Sequence, residues 1–480
     1  MLFTSSGFAL FLPLVLGGFV WMPASWRWPL LLLASLVFYG WGSPTNLAFL
    51  GAISALTYLC GLALASTRRT MRAAAALVGL GTVLGSLMAF KFFDFAAAEL
   101  EKAGGPSLPL LGFTAPPGYS FYAFMAAAYL IDAWQRRIEP EWHAGRLALY
   151  LAWFPKILAG PIERAGTFLP QLRTRLVWDS TLVVGALQLF FWGLFKKVVI
   201  ADNLAPVVDN AFGIAAYAAP LELLIATYFF AFQIYCDFSG YADMAIGISR
   251  LFGITLSENF RRPYLSRSVS EFWSQRWHIS LGRWFRDYLY IPLGGSRAGT
   301  FRQYINIMIV FAVSGLWHAG LGYGVGWTFL IWGLLNGLYQ WVGIATRQLW
   351  DAATKGMAIA VGDWTVAPRI ALTFHLILIS WVFFRAASID QALLVLGRIA
   401  GALPGLPAVV PHYPFTADHL LGLVLIVLLM AVEIVDERRT LALRLAALPT
   451  GLRWSLYYAV LAGILLLGRW QGAQFIYMQF

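Results

Sequence analysis

Two histidines and a cluster of arginines stand where an otherwise oily sequence has little use for charge. Val313-Ser-Gly-Leu-Trp-His-Ala-Gly320 closes an apolar run that begins at Tyr304, so His318 follows that tyrosine by 14 residues. On a continuous helix this spacing carries His318 about 21 Å in from the end, against a hydrocarbon core of about 30 Å. An ionisable side chain at such depth is costly, and faces a bundle interior or a water-filled cavity. An imidazole that titrates near neutrality can take the proton of a hydroxyl as it attacks an acyl carbonyl. From the chemistry alone, a neutral, hydrogen-bonded core histidine is an equal reading. Gly320, Gly322, Gly324 and Gly326 follow at every second position; such freedom suits a cavity wall, and suits a tight connector as well. No Ser-His-Asp set is legible nearby, so direct transfer is simpler than an acyl-enzyme.

His278 lies in the segment from Glu271 to Tyr290. Helical spacing predicts one or two amphipathic helices there, with Trp273, Trp277 and Trp284 on one side and Arg276, Ser280, Arg283 and Asp287 on another. Read by itself, His278 is an interfacial aromatic-belt residue; the functional alternative is a second polar group on the route to His318. His143, His375, His412 and His419 have no companion pattern and read as structural or loop residues. Asp237 and Asp243 close a strongly apolar run. Six residues apart, they diverge by about 120° on a regular helix, so they are expected to pair with arginines of the 261–286 region or to cap helix ends. No metal-ligand spacing is present.

The elements that must carry these residues follow from composition. Of 480 residues 60% are hydrophobic and only 12% charged, whereas soluble domains carry about a quarter charged residues. Apolar runs near the roughly 20 residues that a spanning helix needs number about 11 to 13. They fall near residues 7–22, 28–41, 47–65, 76–93, 118–134, 145–160, 179–200, 221–236, 304–320, 327–346, 369–385, 419–435 and 453–468. This is an all-α polytopic membrane protein. The first run has no basic leader or small-residue cleavage site and is expected to be a retained span. The net charge of +11 sits in short links such as Thr67–Arg72 and Gln135–Arg137; it marks cytoplasmic loops touching anionic lipid, not a nucleic-acid site. Cys60 and Cys236 lie inside apolar runs and read as small core residues.

The region from 253 to 302 mixes aromatic residues with many charges and cannot cross lipid as one plain helix. It is expected to lie in the interface or to re-enter the protein, ending at Ile291-Pro-Leu-Gly-Gly-Ser296. Ser388 opens a short surface helix as its cap. The stretches 97–117 and 402–418 read as plain connectors. No inverted repeat is evident, which weakens the chief rival reading, a proton-coupled transporter.

Eight motifs in order make the chain similar to bacterial membrane-bound O-acyltransferases of the alginate O-acetylation type. They are Leu36–Trp41, Pro117–Tyr122, Phe154–Ile162, Gly193–Asn203, Gln233–Gly247, Glu271–Leu281, Trp284–Gly295 and Gly315–His318, so the resemblance runs through most of the sequence as a single domain over 1–480. Tyr119 and Ala319 depart from the usual pattern, and neither removes a chemical group.

The resemblance implies a ring of tilted transmembrane helices around a thin central core with re-entrant helices, in a bacterial inner membrane. It implies His318 as the principal catalytic residue and His278 as the second. Arg276, Arg283, Arg286, Asp287 and Trp317 are expected around the substrates. The implied donor is acetyl-CoA or another acyl thioester, with no bound cofactor or metal. The implied acceptor is a polysaccharide, reached through a periplasmic esterase-like partner; D-alanyl or peptidoglycan acyl transfer is the alternative within the family.

Overall fold

The computed structural model describes residues 1–480 apart from 113–114, 175–178, 298, 320–325, 354–364, 438–440, 471–474 and 477–480. Gly320, Gly322 and Gly324 of the alternating glycines therefore lie outside the described residues, while Gly326 forms a turn. The described residues are helical, with no strand among them. Eight helical stretches among them have the length and apolarity to cross a bilayer: Pro44–Leu64, Arg69–Lys102, Leu182–Gly213, Pro220–Leu251, Val366–Arg385, Ile389–His412, Ala417–Val435 and Thr450–Leu467. The chain is a multi-pass membrane protein.

The chain packs as two compact units, and the chain passes between them after Leu194, after Ser239 and after Glu258. The first unit comprises Met1–Leu194 and Gly240–Glu258. It contains α1 (Ser6–Trp21), α2 (Ala24–Gly40), α3 (Pro44–Leu64), α4 (Arg69–Lys102), α5 (Tyr119–Trp134), α6 (Ala144–Ala152), α7 (Ala165–Arg173) and α8 (Ser180–Leu194). Aromatic rings fill its centre: Phe38 lies 5.5 Å from Phe154, Phe3 stacks on Tyr241 at 4.8 Å, and the Trp153 indole donates to Ser249 Oγ at 2.9 Å.

One expectation is corrected in this unit. The run 145–160 is not one span: α6 stops at Ala152, because Pro155 has no N–H with which to continue the ladder, and the turn beyond it is buried in protein. Gly118 opens α5 at φ +75°, where a Cβ would meet the Ile157 carbonyl oxygen at 2.2 Å, so only glycine fits that approach. α5 is almost wholly buried in protein, which accounts for its apolar sequence without lipid contact.

The second unit comprises Phe195–Ser239 and Asn259–Phe480. It holds α9 (Asp202–Gly213), most of α10 (Pro220–Leu251), α11 (Val269–Glu271), α12 (Ile279–Phe285), α13 (Thr300–His318), α14 (Trp327–Ala353), α15 (Val366–Arg385), α16 (Ile389–Ala402), α17 (Leu406–Val409), α18 (Ala417–Val435), α19 (Leu441–Ala447) and α20 (Thr450–Leu467). A widened π turn, Phe195–Ala201, precedes α9. It presents the Lys197 ammonium to Asp202 at 2.8 Å and Asp237 at 2.6 Å, and the Lys196 ammonium to Ser239 at 2.8 Å. The expectation for Asp237 is thus corrected: it lies inside α10 rather than at a helix end, and its partner is a lysine rather than an arginine.

α13 and α14 are helical as expected, yet neither is among the eight bilayer-length apolar stretches. Two of their polar residues, Asn306 and Asn336, are buried in protein. Asn306 donates to the carbonyls of Leu293 and Gly295, and Asn336 accepts the Trp273 indole proton at 3.0 Å. Their backbones nearly touch: a Cβ on Gly315 would meet the Phe329 carbonyl oxygen at 2.4 Å, and one on Gly333 the Phe311 carbonyl oxygen at 2.3 Å. Small residues allow such close crossings inside membranes. Ser388 caps α16 by accepting from Gln391 N, as expected, but the supposed connector after it is wound into helical turns through His412.

Candidate functional site

The segment between α10 and α13 turns back through protein instead of forming one amphipathic helix. After Glu271 it widens into a π turn, Phe272–Arg276, breaks at Trp277 and His278, and resumes as α12. The break is held from one residue. The Asn259 backbone carbonyl accepts Ile279 N at 2.9 Å, and its carboxamide oxygen accepts Ser280 N at 3.1 Å and Ser280 Oγ at 2.9 Å. These bonds satisfy the first N–H groups of α12 and hold His278 in a left-handed conformation at φ +42°. The break also corrects the expected tryptophan stripe. Trp273 and Trp277 lie 6.4 Å apart in one cluster, while Trp284 packs on Tyr288 at 5.2 Å in another.

The fold brings His278 and His318, 40 positions apart in the chain, to one cavity of about 320 Å³. Both are buried, at 2% and 3% exposure. The His278 ring meets Phe238 edge-on at 4.7 Å, and burial, followed by repulsion from His318, pushes its imidazole well below the ordinary histidine value. His318 is the last residue of α13, and its Nδ1 lies 2.7 Å from the Ser314 carbonyl oxygen. Trp317 touches both rings, at 6.2 Å from His278 and 4.7 Å from His318.

Trp273, Trp277 and Phe311 line the same cavity, together with Arg283 and Arg286, which are exposed, and Gln303 and Gln340. A cavity with histidines at one part, cations at another and aromatic walls between suits a ligand with an anionic head and a reactive, mostly apolar arm. The other residues marked by the sequence do not line it. Asp287 pairs with Arg286 at 2.8 Å. Arg276 is engaged by Glu271 Oε1 at 2.7 Å and Glu437 Oε1 at 2.7 Å, while its own carbonyl accepts Arg261 N at 2.8 Å. It is a bracket between segments 161 positions apart.

Sequence reasoning missed three groups. Asn259 had no chemical motif around it beyond its neighbours. The Trp332 and Trp381 rings, which enclose the histidine end, read as ordinary apolar residues of two spans. His419 and Glu222 interact at 3.2 Å, and Tyr413 also hydrogen-bonds Glu222, although nearly 200 positions separate the elements.

The profile of the MBOAT, membrane-bound O-acyltransferase family, matches residues 137–384, which include both cavity histidines. The chain is 37% identical over 400 residues to the "Probable alginate O-acetylase AlgI" of Azotobacter vinelandii, covering 82% of this chain and 76% of the relative. It is 33% identical to the "Peptidoglycan O-acetyltransferase" of Helicobacter pylori over 82% of this chain and 78% of the relative. The "Teichoic acid D-alanyltransferase" of Bacillus subtilis is 25% identical over 56% of this chain and 68% of its own length. Helices apolar enough to span a bilayer and the match across more than half of its length together make this chain a member of the membrane-bound O-acyltransferase family, a multi-pass O-acyltransferase.

Proposed function

We propose that this protein, in a bacterial inner membrane, moves an acetyl group from acetyl-CoA, or a related cytoplasmic thioester, to a hydroxyl on an extracytoplasmic polysaccharide or on a periplasmic esterase-like partner. The observation that carries the reading is the shared cavity, with His278 and His318 at one part of its wall and Arg283 and Arg286 at another. Arginine side chains suit the phosphates of CoA, and the aromatic wall suits its pantetheine arm. The names of the relatives in Azotobacter vinelandii and Helicobacter pylori support acetyl as the group and a cell-surface polymer as the acceptor.

In this mechanism His318 is the catalytic base. Its Nδ1–H is directed to the Ser314 carbonyl, so the proton that it handles passes through Nε2. The acceptor hydroxyl gives its proton to Nε2 as its oxygen forms a bond to the thioester carbonyl carbon. The C–S bond then breaks and the thiolate takes that proton, leaving an ester and a thiol with no net proton change. His278, neutral and buried beside Trp317, donates to or orients the acyl carbonyl. Arg283 and Arg286 hold the donor, Asp287 orients Arg286, Trp317 separates reacting groups from lipid, and Arg276 keeps the broken segment in place.

The test is purified protein in liposomes given radiolabelled acetyl-CoA outside and an alginate oligomer inside, with and without an esterase-like periplasmic protein. Label should leave acetyl-CoA in the wild type and not in His318→Ala. Equal turnover in both proteins would overturn the assignment of His318, and solute flux without acyl transfer would favour the transporter. Turnover only with an acylated carrier protein would move the donor toward the D-alanyl branch.

A further inference from the structure

The cavity has room for the arm of a thioester donor, but on the α14–α15 side of His318 the described residues leave no space for a long acyl tail. Behind His318 lies a slab of large rings. Trp332 packs on the histidine at 4.9 Å and Phe384 at 5.7 Å. Trp381 stacks on Trp332 at 5.9 Å and 17°, Phe384 meets both indoles at 5.2 Å, and Phe329 meets Phe384 at 4.9 Å. All four slab residues are at most 1% exposed, and none of them lines the cavity.

The slab is also stiff. Trp332 stands on α14 beside Gly333, and the close approach of Gly333 to the Phe311 carbonyl, with that of Gly315 to Phe329, leaves no space between the two helices there. Trp381 is held from its other side by Trp277 at 5.0 Å, which belongs to the broken segment. Close-packed interiors give way little to added methylenes. A cavity of about 320 Å³ is near the lower end for small-molecule sites, and the pantetheine arm would occupy it.

We infer that Trp332 and Trp381, as the wall behind His318, set the acyl length of this enzyme and restrict it to short groups such as acetyl, with Trp332 the principal selectivity residue. The inference rests on the reading that an acyl thioester enters this cavity. Trp332 packs on the His318 ring at 4.9 Å, so an acyl tail that extends past His318 on that side meets the indole, and removal of the indole opens space there.

The experiment uses the full-length protein in detergent, and measures binding of the non-hydrolysable carba(dethia) analogues of acetyl-CoA, butanoyl-CoA and hexanoyl-CoA alongside turnover of the three thioesters. The wild type should favour the acetyl over the hexanoyl compound by at least about 100-fold, the scale on which a well-shaped apolar pocket discriminates by a few methylenes. Trp332→Ala should shift that ratio toward hexanoyl by about tenfold or more, and Trp332→Phe by less. Trp381→Leu opens the slab from behind and supplies the same readout should Trp332→Ala fail to fold. Wild-type protein that takes hexanoyl as well as acetyl, or unchanged ratios in folded Trp332→Ala and Trp381→Leu, would overturn the inference alone. Failure of the wild type to bind any of the analogues would instead overturn the reading of the cavity as a thioester site.

Discussion

Nδ1 of His318 lies 2.7 Å from the carbonyl oxygen of Ser314, one helical turn earlier. A carbonyl can only accept, so Nδ1 carries the proton and the neutral ring keeps its lone pair on Nε2. The helix itself selects the tautomer of a base. His318→Ala and His318→Gln should lower the rate of acyl transfer by about 100-fold or more, the usual scale of general-base catalysis. Steady-state rates in proteoliposomes, with thermal unfolding as a control for folding, check this; a wild-type rate in a folded variant would remove His318 from the reaction.

His278 is buried as the neutral imidazole, outside the helices that cross the bilayer, and burial with a histidine neighbour pushes its pKa down. Unfolded, it titrates near the ordinary histidine value, so below that value the unfolded chain binds the proton that the folded chain resists. Stability attached to this group should therefore fall as pH drops below about 6.5. Thermal unfolding of wild type and His278→Gln between neutral pH and mildly acid pH checks the sign. The wild type should lose more of its melting temperature than the variant on acidification, and parallel losses would show that other groups govern the acid limb.

Arg276 and Arg286 make opposite predictions from similar chemistry. Arg276 joins Glu271 and Glu437, whereas Arg286 lines the cavity with Arg283. Arg286→Gln and Arg283→Gln should raise the KM for the donor severalfold with little change in kcat or melting temperature, since they would remove attraction common to ground and transition states. Arg276→Gln should lower stability, by about 3 kcal/mol for a mostly buried pair that loses one partner, and should disturb kcat through the broken segment. A KM effect for Arg276→Gln without destabilisation would reverse the two assignments.

Lys197 is the cation between Asp202 and Asp237, and all three are buried. Lys197→Met would leave two carboxylates in a dry site and should destabilise the fold by about 3–5 kcal/mol. Lys197→Met combined with Asp202→Asn and Asp237→Asn should recover much of that loss. Unfolding in detergent with a denaturant series gives both numbers, and a near-neutral single variant would contradict the pairing.

Gly315 and Gly333 each lie against a carbonyl of the other helix. Gly333→Ala should force α13 and α14 apart, at a cost of about 1–3 kcal/mol, and slow acyl transfer by shifting His318. Gly343, with open space around its missing Cβ on the same helix, is the control: Gly343→Ala should leave stability unchanged or raise it slightly. Equal effects at the two positions would mean that helix propensity, not the close crossing, is being measured.

The sequence by itself determined what depends on runs and local spacing. Apolar length made the chain a polytopic membrane protein, the charge-rich stretch from 253 to 302 ruled out a plain span, and ordered motifs led to the family and to His318 at the end of a helix. Ser388 was legible as a cap because capping is a contact between residues three positions apart. Tertiary structure decided what depends on which distant groups meet. Periodicity cannot reveal that Asp237 is neutralised by Lys197, that Arg276 is tied to Glu437, or that Asn259 stops a helix short and turns His278 toward His318. It also cannot distinguish a lipid-facing tryptophan from Trp332, since both are apolar residues in an apolar run. In a membrane the usual contrast between oily inside and polar outside is lost, so partner choice falls to packing and to the cost of leaving a buried charge or backbone N–H unmatched. Those costs are settled only when the segments come together.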